Sequence, residues 1–162
     1  MDLIDRIGFD TIEKLEAAAP ARLAEAMVLQ TEGRYLAAIY LCGYAAEMWM
    51  GSAYFRLLNY APDREIEVSR RNTAVKAARE RKIKSHASHP LDGWVRLLVE
   101  EKPKLKPPAY DSDFALDLVT KVDSIGRHWW PNLRYRDIDP GREIAVEITD
   151  STQWLRQNYP AM

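Results

Sequence analysis

The sequence predicts an all-α fold, an antiparallel up-and-down bundle of four core helices with short extra helices, and three observations carry that prediction. Apolar residues recur at three- and four-residue spacing over most of the 162 residues. Breaks at Gly33, Ala61-Pro62, His89-Pro90, Pro103 to Pro108, Pro131 and Asp139-Pro140-Gly141 cut this pattern into helix-length pieces. The alternating stretches, Arg64 to Val68 and Ile144 to Ile148, have no evident strand partner, so helix is favoured for the second of them.

In chain order, Asp10 followed by Glu13 resembles a capping box and predicts a short helical turn over Thr11–Ala18. Pro20 with alanines behind it then opens a helix to about Glu32, and Gly33 resets the chain. From Arg34 to about Tyr60 the residues are rich in Ala, Leu and Met, with only Glu47 and Arg56 charged after Arg34. That pattern predicts a central helix buried on most of its circumference. The segment from Arg64 to Ser85 has little apolar content; Asn72 to Lys84 reads as a polar helix, and the excursion at about 64–88 is expected outside the core or in a partner interface. Leu91, Trp94, Val95 and Leu98 share one face of a helix starting just after Pro90. Phe114, Leu118, Val122 and Ile125 do the same from a start near Ser112, and Ile144, Ile148 and Leu155 mark a last helix ending by Asn158.

One domain suffices for this length. A composition of 47% hydrophobic and 29% charged residues excludes collagen-like, disordered and disulfide-stapled classes. The net charge of -1 carries no global field for nucleic acid or membrane, so any such binding must be local. A lone Cys42 allows no internal disulfide and no thiolate metal cage. The acidic start Met1-Asp2-Leu3-Ile4-Asp5-Arg6 lacks a signal peptide's apolar run, and Glu47 interrupts the longest apolar stretch. The expectation is a cytoplasmic protein without membrane contact.

The run Gly33-Arg34-Tyr35-Leu36-Ala37-Ala38-Ile39-Tyr40-Leu41-Cys42-Gly43-Tyr44-Ala45-Ala46-Glu47 resembles the second-helix signature of the HEPN family. His89-Pro90-Leu91-Asp92-Gly93-Trp94 is similar to the step that opens that family's next helix, and Asn132-Leu133-Arg134-Tyr135 to its late Arg-Tyr element. The resemblance covers about a fifth of the chain and implies a helical bundle, usually dimeric. The family divides into metal-independent ribonucleases and non-catalytic modules that partner a nucleotidyltransferase, often in toxin–antitoxin pairs. Its ribonucleases carry an Arg, a polar residue and, four to six residues after the Arg, a His on a C-terminal helix. Here Arg127 and His128 are adjacent instead. The nearest match, Arg81 to His86 with Arg79 at the longer spacing, precedes the third core helix, and such pairs arise about once by chance in a chain of this composition.

Glu47 is the most informative single residue, because a helix places it with Tyr40, Gly43, Met50 and Tyr54, where a carboxylate needs a partner. The expected buried polar set is Glu47 with Arg127, His128, Arg134 and Tyr135. Arg70, Arg71, Lys76, Arg79, Arg81, Lys82 and Lys84 oppose one acid, Glu80. The block's net +6, against -1 for the chain, leaves -7 elsewhere. These cations suit phosphate or a partner's carboxylates, although no aromatic is interleaved for stacking. Trp129, Trp130 and Tyr135 beside Arg127, His128, Arg134 and Arg136 form a second cluster, able to stack a base, dock a protein or pack on the bundle end. His86, His89 and Asp92 repeat at spacing three, but Pro90 and the lack of a fourth ligand argue against a metal, and no cofactor motif is present.

The leading reading is a non-catalytic binding module, homodimeric, with a nucleotidyltransferase-like protein, RNA or a nucleotide as possible partner. The alternatives are a metal-independent ribonuclease using Arg81 and His86, and a structural oligomerisation domain whose basic block pairs with a neighbouring copy.

Overall fold

A computed structural model describes residues 10–83 and 89–162, and within them the chain is all-helical, with six α-helices, two 3-10 turns and no strand. Helix α1 spans Ile12–Thr31, with the Thr11 hydroxyl accepting from the Lys14 amide. The expected division at Pro20 does not occur. Pro20 forfeits one helical hydrogen bond, but Ala19, Leu23 and Ala26 around it are fully buried, and that packing keeps the helix continuous through the defect. Asp10 is not the cap; its carboxylate pairs with Arg71 at 2.6 Å.

Gly33, at φ 72°, reverses the chain into α2, Tyr35–Leu57, and the Arg34 amide closes the turn on the Leu29 carbonyl at 2.7 Å. Helix α2 is the central element, packed against α1, α4 (Leu91–Leu105), α5 (Ser112–His128), α6 (Arg142–Asn158) and the 3-10 turn Pro131–Tyr135. Its alanines and glycines allow this crowding. Trp129 lies where a side chain on Gly43 would be, since a Cβ there would fall 2.0 Å from the indole. Cys42 is buried opposite α6, with its Sγ 3.8 Å from the Thr149 hydroxyl.

Helix α3, Val68–Arg81, shows that the described part of the 64–88 excursion, expected outside the core or in a partner interface, reaches the core through its small residues. Its small face, Ala74 and Ala78, is buried against α4, and Gly93 lets the two backbones meet: a Cβ there would sit 2.0 Å from the Ala78 carbonyl oxygen. Ile66 is buried as well. Helix α4 begins directly after Pro90 as expected but runs through Pro103 to Leu105 before the chain turns. Helix α5 starts on an Asp111 cap, and Ile144 to Ile148 is helical within α6. No helix among the described residues is long and apolar enough to cross a membrane.

The start of α1 is clamped to the end of α2. Arg56 Nη2 donates to Glu16 at 2.7 Å, and the Tyr159 hydroxyl donates to the same carboxylate and lies 3.1 Å from the Ser52 hydroxyl. Burial pushes the Glu16 carboxyl up, but the hydrogen bonds from Arg56 and Tyr159 and the Arg56 charge outweigh it and leave the carboxyl below its ordinary value. A carboxylate lowered on folding stabilises the native state above the unfolded value and loses that contribution as pH falls through the folded one. Acid unfolding monitored by circular dichroism should therefore show a shallower pH dependence through the carboxylate range in Glu16→Gln than in the parent; identical profiles would remove the linkage. In thermal melts, Gly43→Ala and Gly93→Ala should each cost about 1–3 kcal/mol by overpacking, despite alanine's better helix propensity. An unchanged or raised melting temperature would contradict these two contacts.

Candidate functional site

Helices α2 and α3 both lean on α4, and a cleft of about 540 Å³ lies between them. The α2 wall is one helical face, Tyr44, Glu47, Met48, Gly51 and Phe55. The α3 wall is another, Arg71, Asn72, Val75 and Arg79, while His89 and Trp94 come from the chain entering α4 and from α4 itself. A charged and polar rim thus surrounds an apolar floor of Phe55, Ile66 and Trp94.

Glu47 does find a partner, but not the one expected from residues 127–136. Both of its carboxylate oxygens lie within 2.9 Å of His89 Nδ1, with the two side chains only 16% and 27% exposed. Aromatic edges fix the pair. Tyr44 and Trp129 meet the imidazole edge-on with centroids 5.9 and 5.8 Å away, and they meet each other at 5.2 Å. Burial, followed by the hydrogen bond and charge of Tyr40 and the charge of Glu47, pushes the Tyr44 hydroxyl up to about 12, so it stays a neutral hydrogen-bonding group at physiological pH.

The basic block is divided by its helix. Arg71 is neutralised by Asp10, and Arg81 by Glu100 at 2.7 Å, with Glu101 at 3.5 Å and the Ala77 carbonyl also accepting. Arg79 lines the cleft with no side-chain ion pair or hydrogen bond among the described residues, and Arg70 borders a separate hollow with Tyr60 and Arg64. Lys76 and Lys82 are exposed. Lys84 and His86 lie outside the described residues, so of the Arg81–His86 pair only Arg81 can be placed, and α4 carboxylates hold it. In the cleft wall, Trp94 is 3% exposed, and its buried indole Nε1 has no hydrogen-bond partner among the described residues.

The expected buried set is otherwise corrected. Arg127, Arg134 and Tyr135 are exposed and His128 is half-buried, because the chain leaves α5 at Trp129 and only that indole turns inward. No group of metal-ligating side chains forms among the described residues; Asp92 instead accepts from the Ile83 amide at 2.6 Å. Sequence reasoning overlooked His89 as the partner of Glu47, 42 residues away. It also overlooked that Arg71, Val75 and Arg79, at i, i+4 and i+8, share a face, although that spacing was there to be read.

No family model, no curated protein and no solved structure matches this chain.

Removing either member of the Glu47–His89 pair leaves a partly buried polar group unmatched, at about 1–3 kcal/mol. Chemical denaturation of Glu47→Ala, His89→Ala and the double variant should give a double loss smaller than the sum of the single losses. Strict additivity would mean that the two side chains do not support one another.

Proposed function

We propose that the protein is a non-catalytic binding module, a HEPN-like four-helix bundle with α3 as an added arm, that takes a phosphate-bearing ligand between α2 and α3. The observation that carries this reading is a guanidinium, Arg79, uncompensated among the described residues, on the wall of a cleft whose floor, Phe55, Ile66 and Trp94, is buried. Phosphate oxygens accept from a guanidinium fork, and an exposed Arg at the mouth of a cleft suits a dianion. Arg71 adds a second cation two turns away on the same wall, softened by Asp10. The Glu47–His89 pair supplies polar contacts at the far end of the cleft and keeps its orientation through Tyr44 and Trp129. Binding rather than ribonuclease chemistry is favoured because Arg81 is held by Glu100 and Glu101.

A dimeric state and a nucleotidyltransferase-like protein partner follow from the HEPN resemblance, and the exposed apolar side chains Val28 and Leu116 are compatible with a further protein contact.

Calorimetric titration with inorganic pyrophosphate at low salt tests the cleft. The parent should bind; Arg79→Gln should weaken binding about tenfold, the worth of one charge-assisted hydrogen bond. Gly51→Leu should abolish binding, because a Cβ at Gly51 meets no atom within 4 Å and the longer side chain fills the cleft that Gly51 lines. Labelled single-stranded RNA incubated with the parent in EDTA should remain intact, and light scattering should report twice the chain mass. No heat from the parent, or parent-like affinity in both variants, would end the cleft reading; RNA cleavage would restore the ribonuclease one.

A further inference from the structure

The cleft between α2 and α3 has far more apolar wall than a phosphate group can use, and that surplus describes the rest of its ligand. Leu15, Met48 and Val75 line it above the floor of Phe55, Ile66 and Trp94, and the three are only half-buried, so apolar surface remains for a ligand to cover. Gly51 keeps the middle open, since a Cβ there would meet no atom within 4 Å. Covering such a wall is favourable in proportion to the apolar area removed from water, which a phosphate cannot supply. The volume of about 540 Å³ is that of a cleft for a whole small molecule.

The charge in the lining, by contrast, is single. Asp10 is paired with Arg71 and Glu47 with His89, which leaves neither carboxylate to a ligand. Of the charged side chains in the cleft, Arg79 alone has no side-chain partner among the described residues. Packing also fixes its place along the cleft. The Ala78 carbonyl oxygen lies where a side chain on Gly93 would be, 2.0 Å from such a Cβ, so the backbone at Arg79 lies beside the start of α4. Arg71 marks the opposite end, where it meets Asp10 and the Ile66 amide donates to the Asp10 carbonyl at 2.8 Å. The two arginines are separated by ~12 Å of helix at ~1.5 Å per residue, with Val75 midway between them.

One available cation at one end, with an apolar wall running away from it, matches a ligand with one anionic head and an apolar body. A longer run of phosphates would need several available cations in file, and the next one here is already matched by Asp10. Resting on the phosphate reading of this cleft, we infer that it binds a phosphate monoester of a short alkyl group, the head on Arg79 and the chain over Gly51 between Met48 and Val75. Pyrophosphate is then a probe of the head alone. Because the chain lies inside the cleft, the ligand is taken from water as a single molecule and not from a membrane surface.

Calorimetry at low salt tests this with butyl, hexyl and octyl phosphate below micelle formation, with pyrophosphate, and with alkanoates of matching length. In the parent, affinity should rise about two- to fourfold for each methylene added, the upper figure corresponding to full burial. Arg79→Gln should weaken pyrophosphate and all three esters about tenfold while leaving that increment intact. Val75→Thr and Met48→Gln keep the size of the wall but make it polar, and each should weaken octyl phosphate about three- to tenfold. Pyrophosphate affinity equal to the parent's in these two variants shows that the cleft is still formed. Pyrophosphate binding with no rise along the ester series overturns the monoester and leaves the phosphate reading standing. Alkanoates that bind as tightly as esters of equal length overturn the phosphate reading and the monoester with it, and absence of binding by every probe ends both. A chain increment unchanged in both wall variants would place the alkyl group outside the cleft and overturn the inference as well.

Discussion

The indole of Trp129 resting on the bare backbone of Gly43 is the contact on which the order around Glu47 and of the chain beyond α5 depends. With one edge it meets His89 and Tyr44 and so holds the Glu47–His89 pair; through Nε1 it ties the chain beyond α5 to the Tyr40 carbonyl. The two functions of one ring follow from its shape. A large flat side chain with a single donor can be buried almost completely only where a neighbour gives up its Cβ and a carbonyl is within reach, and α2 offers both within four residues. Gly43 thus serves proximity rather than backbone freedom.

A second organising feature is how charge is distributed on α3. The concentration of cations there suggests a uniformly basic surface, but folding places acids against selected members: Asp10 from the start of α1, and Glu100 and Glu101 from α4. Exposed pairs of this kind add little stability. Their effect is to subtract charge locally, so that Arg79 stands out at the cleft while Arg81, two residues on, and Arg71, two turns back, are occupied. The helix joins the body through Ala74, Ala78 and Gly93, a flat contact between small residues that leaves the Arg71–Val75–Arg79 face turned to α2.

Much of this architecture was legible in the residues. The starts of α4 and α5, the end of α6 and the burial of most of α2's circumference followed from Pro90, from periodic Leu, Val and Ile, and from a nearly uncharged stretch, all of them local signals. What escaped were features decided by distant packing. Pro20 and Pro103 read as helix boundaries because proline's missing N–H is a local cost, whereas the burial that offsets it is tertiary. Glu47 was correctly singled out as a carboxylate in need of a partner, yet no spacing rule connects it to His89 across the intervening helix α3. Arg134 and Tyr135 were expected inside because they adjoin a tryptophan pair; the chain buries only Trp129 of that pair, and the direction of a chain leaving a helix is not encoded in composition.

The burial of Cys42 has a practical side. Its thiol sits on the α2 face that α6 covers, against Thr149, and burial pushes its pKa up, so neither the proton nor the sulfur is offered to solvent. Reagents that attack thiolates can reach it only when α6 lifts away from α2 or the molecule opens altogether. The rate of its alkylation is therefore a clock for that separation, and a clock already in the molecule, needing no engineered label: a ligand that tightens the fold should slow it, and one that loosens α6 should speed it without changing the bulk melting profile.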